Sequence, residues 1–307
     1  MAAIIQDSKE TDQLERVDTG EDLARYFSHQ KNFSPEKDIF FVEVAGNAVG
    51  YSRVRWRDEQ DGKYIYNHYG LLVPEWRRNG IGRYLLYHNQ ARLREISSEH
   101  PQVVERSFEA FAADSEIGAN ILLKSEDYQP VRYFSNMVRP DLENIQPAEI
   151  PPGLEVRPVK PEHYQKITDA SREAFRDHWG FSEDSEPTME ALVDDPNFDP
   201  TLWQVAWDGD QVAGMILNFI DKRENEEYNR KRGWTENISV RRSWRRRGLA
   251  RGLLHKSLQL LKEIGMKEAA LGVDTENLTG ALRLYEGMGF KPIKRYTTYQ
   301  KDFWIGD

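Results

Sequence analysis

Two short stretches of this 307-residue chain hold the residue types that bind phosphate. They are Arg245-Arg246-Arg247-Gly248-Leu249-Ala250 and Arg77-Arg78-Asn79-Gly80-Ile81-Gly82. Both have the spacing Arg-x-x-Gly-x-(Gly/Ala), and both follow a tryptophan, Trp244 or Trp76. Each comes after a strand-like run, Ile238-Ser239-Val240 or Leu71-Leu72-Val73, and opens a helix-like one. Strand, glycine turn and helix start together build an anion site. Small residues let the backbone approach closely, several N–H groups point one way, and the helix dipole favours negative charge. The spacing alone also fits an ordinary turn before a surface helix. Neither copy is a Walker loop, since no Gly-Lys-Ser/Thr is present, nor a dinucleotide fingerprint, since the third glycine is missing. The repetition points to an internal duplication with a place for a phosphorylated cofactor in each half.

The downstream sequence narrows the reading. Leu271 to Asn277 reads as a strand running into a loop, Leu278 to Glu286 as a short helix, and Gly287 to Phe290 as its glycine-rich C-cap. Asn277, then Tyr285 eight residues later, then Gly289-Phe290 resemble the closing motif of the GNAT N-acetyltransferase superfamily. The Arg245 to Ala250 segment resembles that superfamily's acetyl-CoA diphosphate loop. The resemblance covers most of both halves and is closer in the second. The tandem arrangement is similar in architecture to the mycothiol synthases. The resemblance implies an α/β (α+β) fold of two tandem GNAT-like domains, each a twisted mixed, mainly antiparallel sheet flanked by helices. It also implies acetyl-CoA as co-substrate and a small-molecule primary amine as acceptor.

Acetyl transfer makes four demands. The diphosphate must be held, for which Arg245, Arg246 and Arg247 and the amides of Gly248, Leu249 and Ala250 are the candidates. The pantetheine arm must be aligned, and the edge of Ile238, Ser239 and Val240 can pair with it as a strand would. The amine must lose a proton. Glu236, on the same strand, is the candidate base, and simple alternation gives it the face of Ile238 and Val240. The departing thiolate must be stabilised. By the resemblance, the Tyr285 hydroxyl is the acid and Asn277 contacts the cofactor arm. The ordinary alternatives are a solvent-facing Glu at a strand edge and a packed aromatic on a short helix.

The first half lacks this set. Glu236 lies twelve residues before Gly248, and His68 lies twelve before Gly80. Ser115 and Leu123 stand in for Asn277 and Tyr285, and leucine cannot protonate a thiolate. The first half therefore reads as a degenerate partner whose Arg77, Gly80 and Gly82 leave open whether it holds CoA. It also reads as lacking the opening strand and two helices that wall an acceptor pocket. In the second half that wall is expected in Phe175 to Phe181, with His178, Trp179 and Phe181 as lining and Asp177 or Glu183 drawing in a cationic amine.

Composition bounds the alternatives. A net charge of −9 argues against a nucleic-acid binder, although six arginines fall within residues 241–251. A non-catalytic acyl-CoA-binding protein remains the other reading of the motif. There is no cysteine, which excludes disulfides, thiolate zinc sites and a cysteine nucleophile. No His/Asp/Glu spacing resembles a metal site. No apolar run approaches the roughly 18 residues of a membrane helix, and the chain is expected to be cytoplasmic. It is expected to act as a monomer whose halves form a pseudo-dimer.

The elements that must position these residues follow the same order twice. Residues 1–13 read as polar and loose. Residues 1–140 read as the degenerate domain, 141–153 as a linker containing Pro147, Pro151 and Pro152, and 154–307 as the catalytic domain.

Overall fold

In the computed structural model, which describes residues 1–102, 104–183, 188–277 and 280–304, both halves form their hairpins where the sequence alternates. The first runs from β1 (Ile39–Val44) to β2 (Asn47–Asp58), and Ala45 and Gly46 both take the left-handed backbone that a two-residue hairpin turn requires. β3 (Tyr64–Leu72), α4 (Ile81–Ser97), β4 (Arg106–Ala113), α5 (Ile117–Ser125) and β5 (Gln129–Arg139) complete the first half. Before β1 lie α1 (Ala2–Asp12), α2 (Gly20–Ser28) and α3 (Pro35–Asp38).

The second half opens with β6 (Glu155–Val156), α6 (Tyr164–Phe175) and α7 (Met189–Val193). It continues through β7 (Gln204–Asp208), β8 (Gln211–Phe219), α8 (Lys222–Glu227) and β9 (Arg232–Val240). α9 (Leu249–Glu263), β10 (Glu268–Asp274), α10 (Ala281–Gly287) and β11 (Lys291–Asp302) follow. Leu278, the expected start of α10, lies outside the described residues. α9 buries Leu249, Leu253, Leu254, Leu258 and Leu261, the stripe that one helix face presents to a sheet.

Two compact units result, and neither is a contiguous half. Unit 1 comprises Met1–Tyr133, Ser182–Ser185 and Arg295–Asp307, and unit 2 comprises Phe134–Phe181 and Glu186–Lys294. Within unit 1 the strand order is β1-β2-β3-β4-β11, and only β3 and β4 are parallel. Within unit 2 it is β6-β7-β8-β9-β10-β5, and only β9 and β10 are parallel. The last strand of each half thus counts with the other unit. β11 pairs with β4 from Tyr296↔Ala113 to Asp302↔Ser107, and β5 pairs with β10 from Phe134↔Asp274 to Arg139↔Ala269. This differs from a simple division into 1–140 and 154–307. An apolar-polar alternation marks a strand but does not say which open edge it joins.

The N-terminus differs from its expected looseness. α1 buries Ile4 and Ile5 against Leu71 and Val73 of unit 1, and Asp12 at its end takes both Nη atoms of Arg77 at 2.7 and 2.6 Å. α2 starts on a capping box in which Thr19 and Asp22 satisfy each other's backbone N–H. Unit 1 therefore does have helices ahead of its hairpin, α1, α2 and the short α3, and among the described residues no strand lies ahead of β1.

Candidate active site

The two arginine-glycine loops have the same backbone. Gly248 and Gly80 are the N-caps of α9 and α4, with φ of 87° and 80°. Two residues earlier, Arg246 and Arg78 are also left-handed, with φ of 62° and 64°. A Cβ built on Gly248 meets nothing within 4 Å, so a side chain there would meet strain from the backbone rather than a clash. Replacing Gly248 with Val should raise the acetyl-CoA Kd at least about tenfold and lower the melting temperature, because a β-branched residue is strained at positive φ. Gly248→Asn tolerates that backbone and should lose less of both. Calorimetry and thermal melts of the two variants check this, and equal affinity in both variants and wild type would sink the loop assignment.

The first arginine of each loop has a different job from the one expected. Arg245 Nε donates to Val240 O at 2.9 Å, Nη1 to Asp177 at 2.7 Å and Nη2 to Ala174 O at 2.9 Å. Arg77 repeats this, with Nε on Leu72 O at 2.9 Å and its fork on Asp12. Each ties the end of a strand to the end of a preceding helix. Arg242 is also bound to Asp177, and Arg241 to Glu173 and Val212 O. Three of the six clustered arginines are therefore taken up internally, which weakens the nucleic-acid reading. Arg246, Arg247 and Arg251 are exposed and, among the described residues, in no ion pair. Arg245→Ala should cost about 2 kcal/mol of stability, from hydrogen bonds to a charged group, with a minor change in acetyl-CoA Kd. Arg246→Ala should do the reverse, and paired melts and titrations separate the two.

Glu236 stands where β9 and β10 part. Their parallel pairing covers only Arg232–Trp234 with Glu268–Ala270, and Thr235 Oγ1 donates to Ala270 O at 3.1 Å just beyond it. From there to Val240, β9 has no strand partner on that side among the described residues. In the opening, Glu236 Oε1 accepts the Gly272 N–H at 2.9 Å. Burial pushes the Glu236 carboxyl up to about 7, and that single backbone hydrogen bond offsets only part of the rise.

Simple alternation fails at this point. Leu217 pairs with Glu236 but Met215 pairs with Ser239, so β9 carries one extra residue, a bulge at Asn237 and Ile238. Asn237 is left-handed, φ 49°. Glu236 and Ser239 thus share the α6 face with Leu217 and Met215, while Ile238 and Val240 pack into the core beneath α9. Asn237 is held by Ser171 of α6 at 2.9 Å and by Ser239 at 3.3 Å. Sequence reasoning missed Asn237 and Ser171. The available signal was an asparagine, a residue that tolerates positive φ, in mid-strand.

Tyr285 is buried on α10, close enough to Glu236 for that carboxylate to raise its pKa further after burial has raised it well above the ordinary phenol. α10 is fixed from its C-terminal end. Arg139 of β5 donates to Met288 O, and its other nitrogens reach Asp141 O at 2.8 Å and Glu143 O at 2.6 Å. A guanidinium there satisfies the end of a helix and complements its dipole. Asn277 lies in the loop between β10 and α10, its N–H on Asp274 O at 3.2 Å. Leu249 puts its side chain in the core, so only its backbone faces the loop.

In unit 1 the corresponding residues are packed or hydrogen-bonded within the fold. His68 is buried, with Nε2 2.8 Å from the Tyr128 hydroxyl, which also accepts from Gln90 at 3.0 Å. Burial lowers its pKa to about 4, so it is a neutral core histidine. Leu123 is packed in the core, and Ser115 Oγ caps Asp12 O at 2.7 Å. On the acceptor side of unit 2, Phe181 is buried, His178 packs on Phe175 at 4.5 Å, and Trp179 faces Phe134 at 6.4 Å. Asp177 does not fit its expected role, because hydrogen bonds from Arg242 and Arg245 neutralise it and hold it well below the usual carboxylate range. Glu183 is exposed.

The chain is similar to known proteins in sequence and fold. The profile of the acetyltransferase (GNAT) family matches residues 3–100 and again 164–290. The mycothiol acetyltransferase of Geodermatophilus obscurus is 25% identical over 83% of this chain and 79% of its own length. That of Salinispora tropica is 27% identical over 83% and 78%. The crystal structure of a GCN5-related N-acetyltransferase from Sphaerobacter thermophilus superposes with a TM-score of 0.71 at 25% identity, covering 98% of this chain and 91% of that one. A tandem GNAT protein from the clavulanic acid biosynthesis pathway, 17% identical, shares the fold with a TM-score of 0.60 over 88% and 85%. Among the described residues no helix is long and apolar enough to cross a membrane. With the family profile matching both halves, the chain belongs to the GNAT family of acetyltransferases and is an acetyl-transferring enzyme of tandem architecture.

Proposed function

We propose that unit 2 transfers the acetyl group of acetyl-CoA to a primary amine of a small molecule by direct attack. The amides from Gly248 to Ala250, with Arg246, Arg247 and Arg251, hold the diphosphate, while Arg245 keeps the loop in place. The free edge of β9 from Ile238 to Val240 aligns the pantetheine arm, and Asn277 borders it. The amine nitrogen adds to the thioester carbonyl carbon, and its proton passes to Glu236, directly or through water. A backbone N–H of β9 stabilises the oxyanion. The C–S bond then breaks, and the sulfur takes the proton of Tyr285. Glu236 returns its proton to solvent and Tyr285 regains one, leaving amide and free CoA.

The observation that carries this reading is the Glu236 carboxyl set in the opening between β9 and β10 on the Gly272 N–H, where burial raises it to about 7 and its charge reaches the buried Tyr285 hydroxyl. A base poised near working pH and an acid that stays protonated are the pair this reaction needs. The test is release of CoA thiol from acetyl-CoA across amine classes, including the acceptor of the mycothiol acetyltransferases, aminoglycosides, polyamines and amino-acid conjugates. Acetyl-CoA binding with no turnover on any class would instead favour a non-catalytic acyl-CoA-binding protein.

A further inference from the structure

Unit 1 carries a charged cluster, on the sheet face away from α4, that acetyl transfer does not use. β2 places Arg53, Arg55 and Arg57 on one face by alternation, with Tyr69 opposite Arg53 and Asn67 opposite Arg55. Arg57 is satisfied, with Glu109 at 2.9 Å and Glu59 at 2.8 Å. The other two are not. The Arg53 guanidinium lies over the rings of Tyr69, Tyr26 and Phe27 at 5.5, 5.7 and 5.9 Å, and among the described residues it makes no ion pair. Arg55 donates to the neutral Gln30 Oε1 at 2.8 Å and likewise makes no ion pair there. The nearby Asp18 is committed to Arg16 at 2.7 Å.

Ring faces orient a guanidinium but fill none of its five N–H donors. Burial lowers the Arg55 pKa, with the like charges of Arg53 and Arg57 adding to the fall and Tyr26 and the Glu109 carboxylate, which is paired with Arg57, offsetting part of it. Beside the pair, Tyr69 stacks on Phe111 with centroids 5.9 Å apart, and Phe111 remains 41% exposed and Tyr26 43%. The result is an aromatic patch with Phe111 and Tyr26 exposed and Tyr69 buried, edged by two half-buried arginines that make no ion pair among the described residues, in a chain whose net charge is −9.

We propose that this face of unit 1 binds a small organic anion, its carboxylate or phosphate held by the forks of Arg53 and Arg55 and its flat body resting against the exposed ring of Phe111. Planar oxyanions match arginine forks bidentately, which a point charge such as lysine cannot reproduce. The site lies on the opposite sheet face from α4 and is independent of the roles of Glu236 and Tyr285.

The test is calorimetry on the full-length protein with benzoate and inorganic phosphate as probes and benzyl alcohol as the neutral counterpart. Benzoate should bind at concentrations on the order of 1 mM or below, and benzyl alcohol at least about tenfold more weakly. Arg53→Gln and Arg55→Gln should each weaken benzoate at least about tenfold, while Lys37→Gln, the same charge change on α3, should not. Arg55→Lys keeps the charge but loses the fork, so it should weaken binding even where the glutamine variant folds poorly. Saturating acetyl-CoA should leave benzoate bound. Displacement of benzoate by phosphate assigns the natural anion to the phosphates, and its failure to displace assigns it to the carboxylates. Binding of neither probe at about 10 mM, binding indifferent to the arginine variants, or displacement by acetyl-CoA would overturn the proposal. Amine acetylation measured alongside reports on unit 2 separately, so failure of one reading leaves the other intact.

Discussion

Replacing Tyr285 with Phe should lower kcat by about 10²- to 10⁴-fold, the usual worth of a positioned general acid. The acetyl-CoA Kd and the melting temperature should hardly move. Phe keeps the ring in the core between α9 and the sheet, where Tyr285 already packs near Phe290 with centroids 6.3 Å apart. Only the hydroxyl is lost. That hydroxyl is kept protonated near neutral pH by burial and by the charge of Glu236, so in the proposed step it serves as the donor and not as a base. The corresponding change in unit 1 should behave differently. Leu123→Ala removes a buried side chain and should cost about 2–5 kcal/mol of stability, with kcat of the folded fraction retained. Wild-type turnover in the Tyr285→Phe protein would mean that the thiolate leaves without an acid from this position.

The glycine loop that opens α9 was legible in the sequence because its determinants are local. A glycine at an N-cap, a preceding strand and a following helix all lie within about a dozen residues, and the repeat confirmed the spacing. The role of Arg245 was not legible, because its partner Asp177 sits 68 residues away in the chain. Arg77 and Asp12 show the same limit, and with them went α1: two isoleucines and one distant ion pair hold a segment that reads as polar. The bulge at Asn237 changed which face Glu236 occupies. Strict alternation holds only while every residue is paired, and one inserted residue reverses it. Arg139 was invisible for a topological reason. It belongs to the last strand of the first half, yet it caps the helix that carries Tyr285. Motif comparison within one half cannot find a residue that the fold brings in from the other.

Glu236→Gln should lower kcat about 10²-fold or more while acetyl-CoA binding changes little. The amide keeps an oxygen able to accept the Gly272 N–H, so the strand opening should hold its shape. What is lost is basicity. In the wild type the carboxyl titrates at about 7, well above its ordinary value of 4.5, so the rate should climb through that pH as the base ionises. The variant should lose that inflection and keep only the one belonging to the acceptor amine. Stability gives a second readout, with a definite sign. A carboxyl whose pKa is raised by folding favours the folded state below the unfolded pKa, and that contribution is lost as pH rises through the folded value. The wild type therefore carries a penalty at pH 8 that it does not carry near pH 4.5. Glu236→Gln, uncharged at both, should melt a few degrees higher than wild type at pH 8 and at nearly the same temperature near pH 4.5. An unchanged acidic limb together with a pH-independent difference in melting would make Glu236 an edge residue of the sheet, and the amine proton would have to leave to water or to another group.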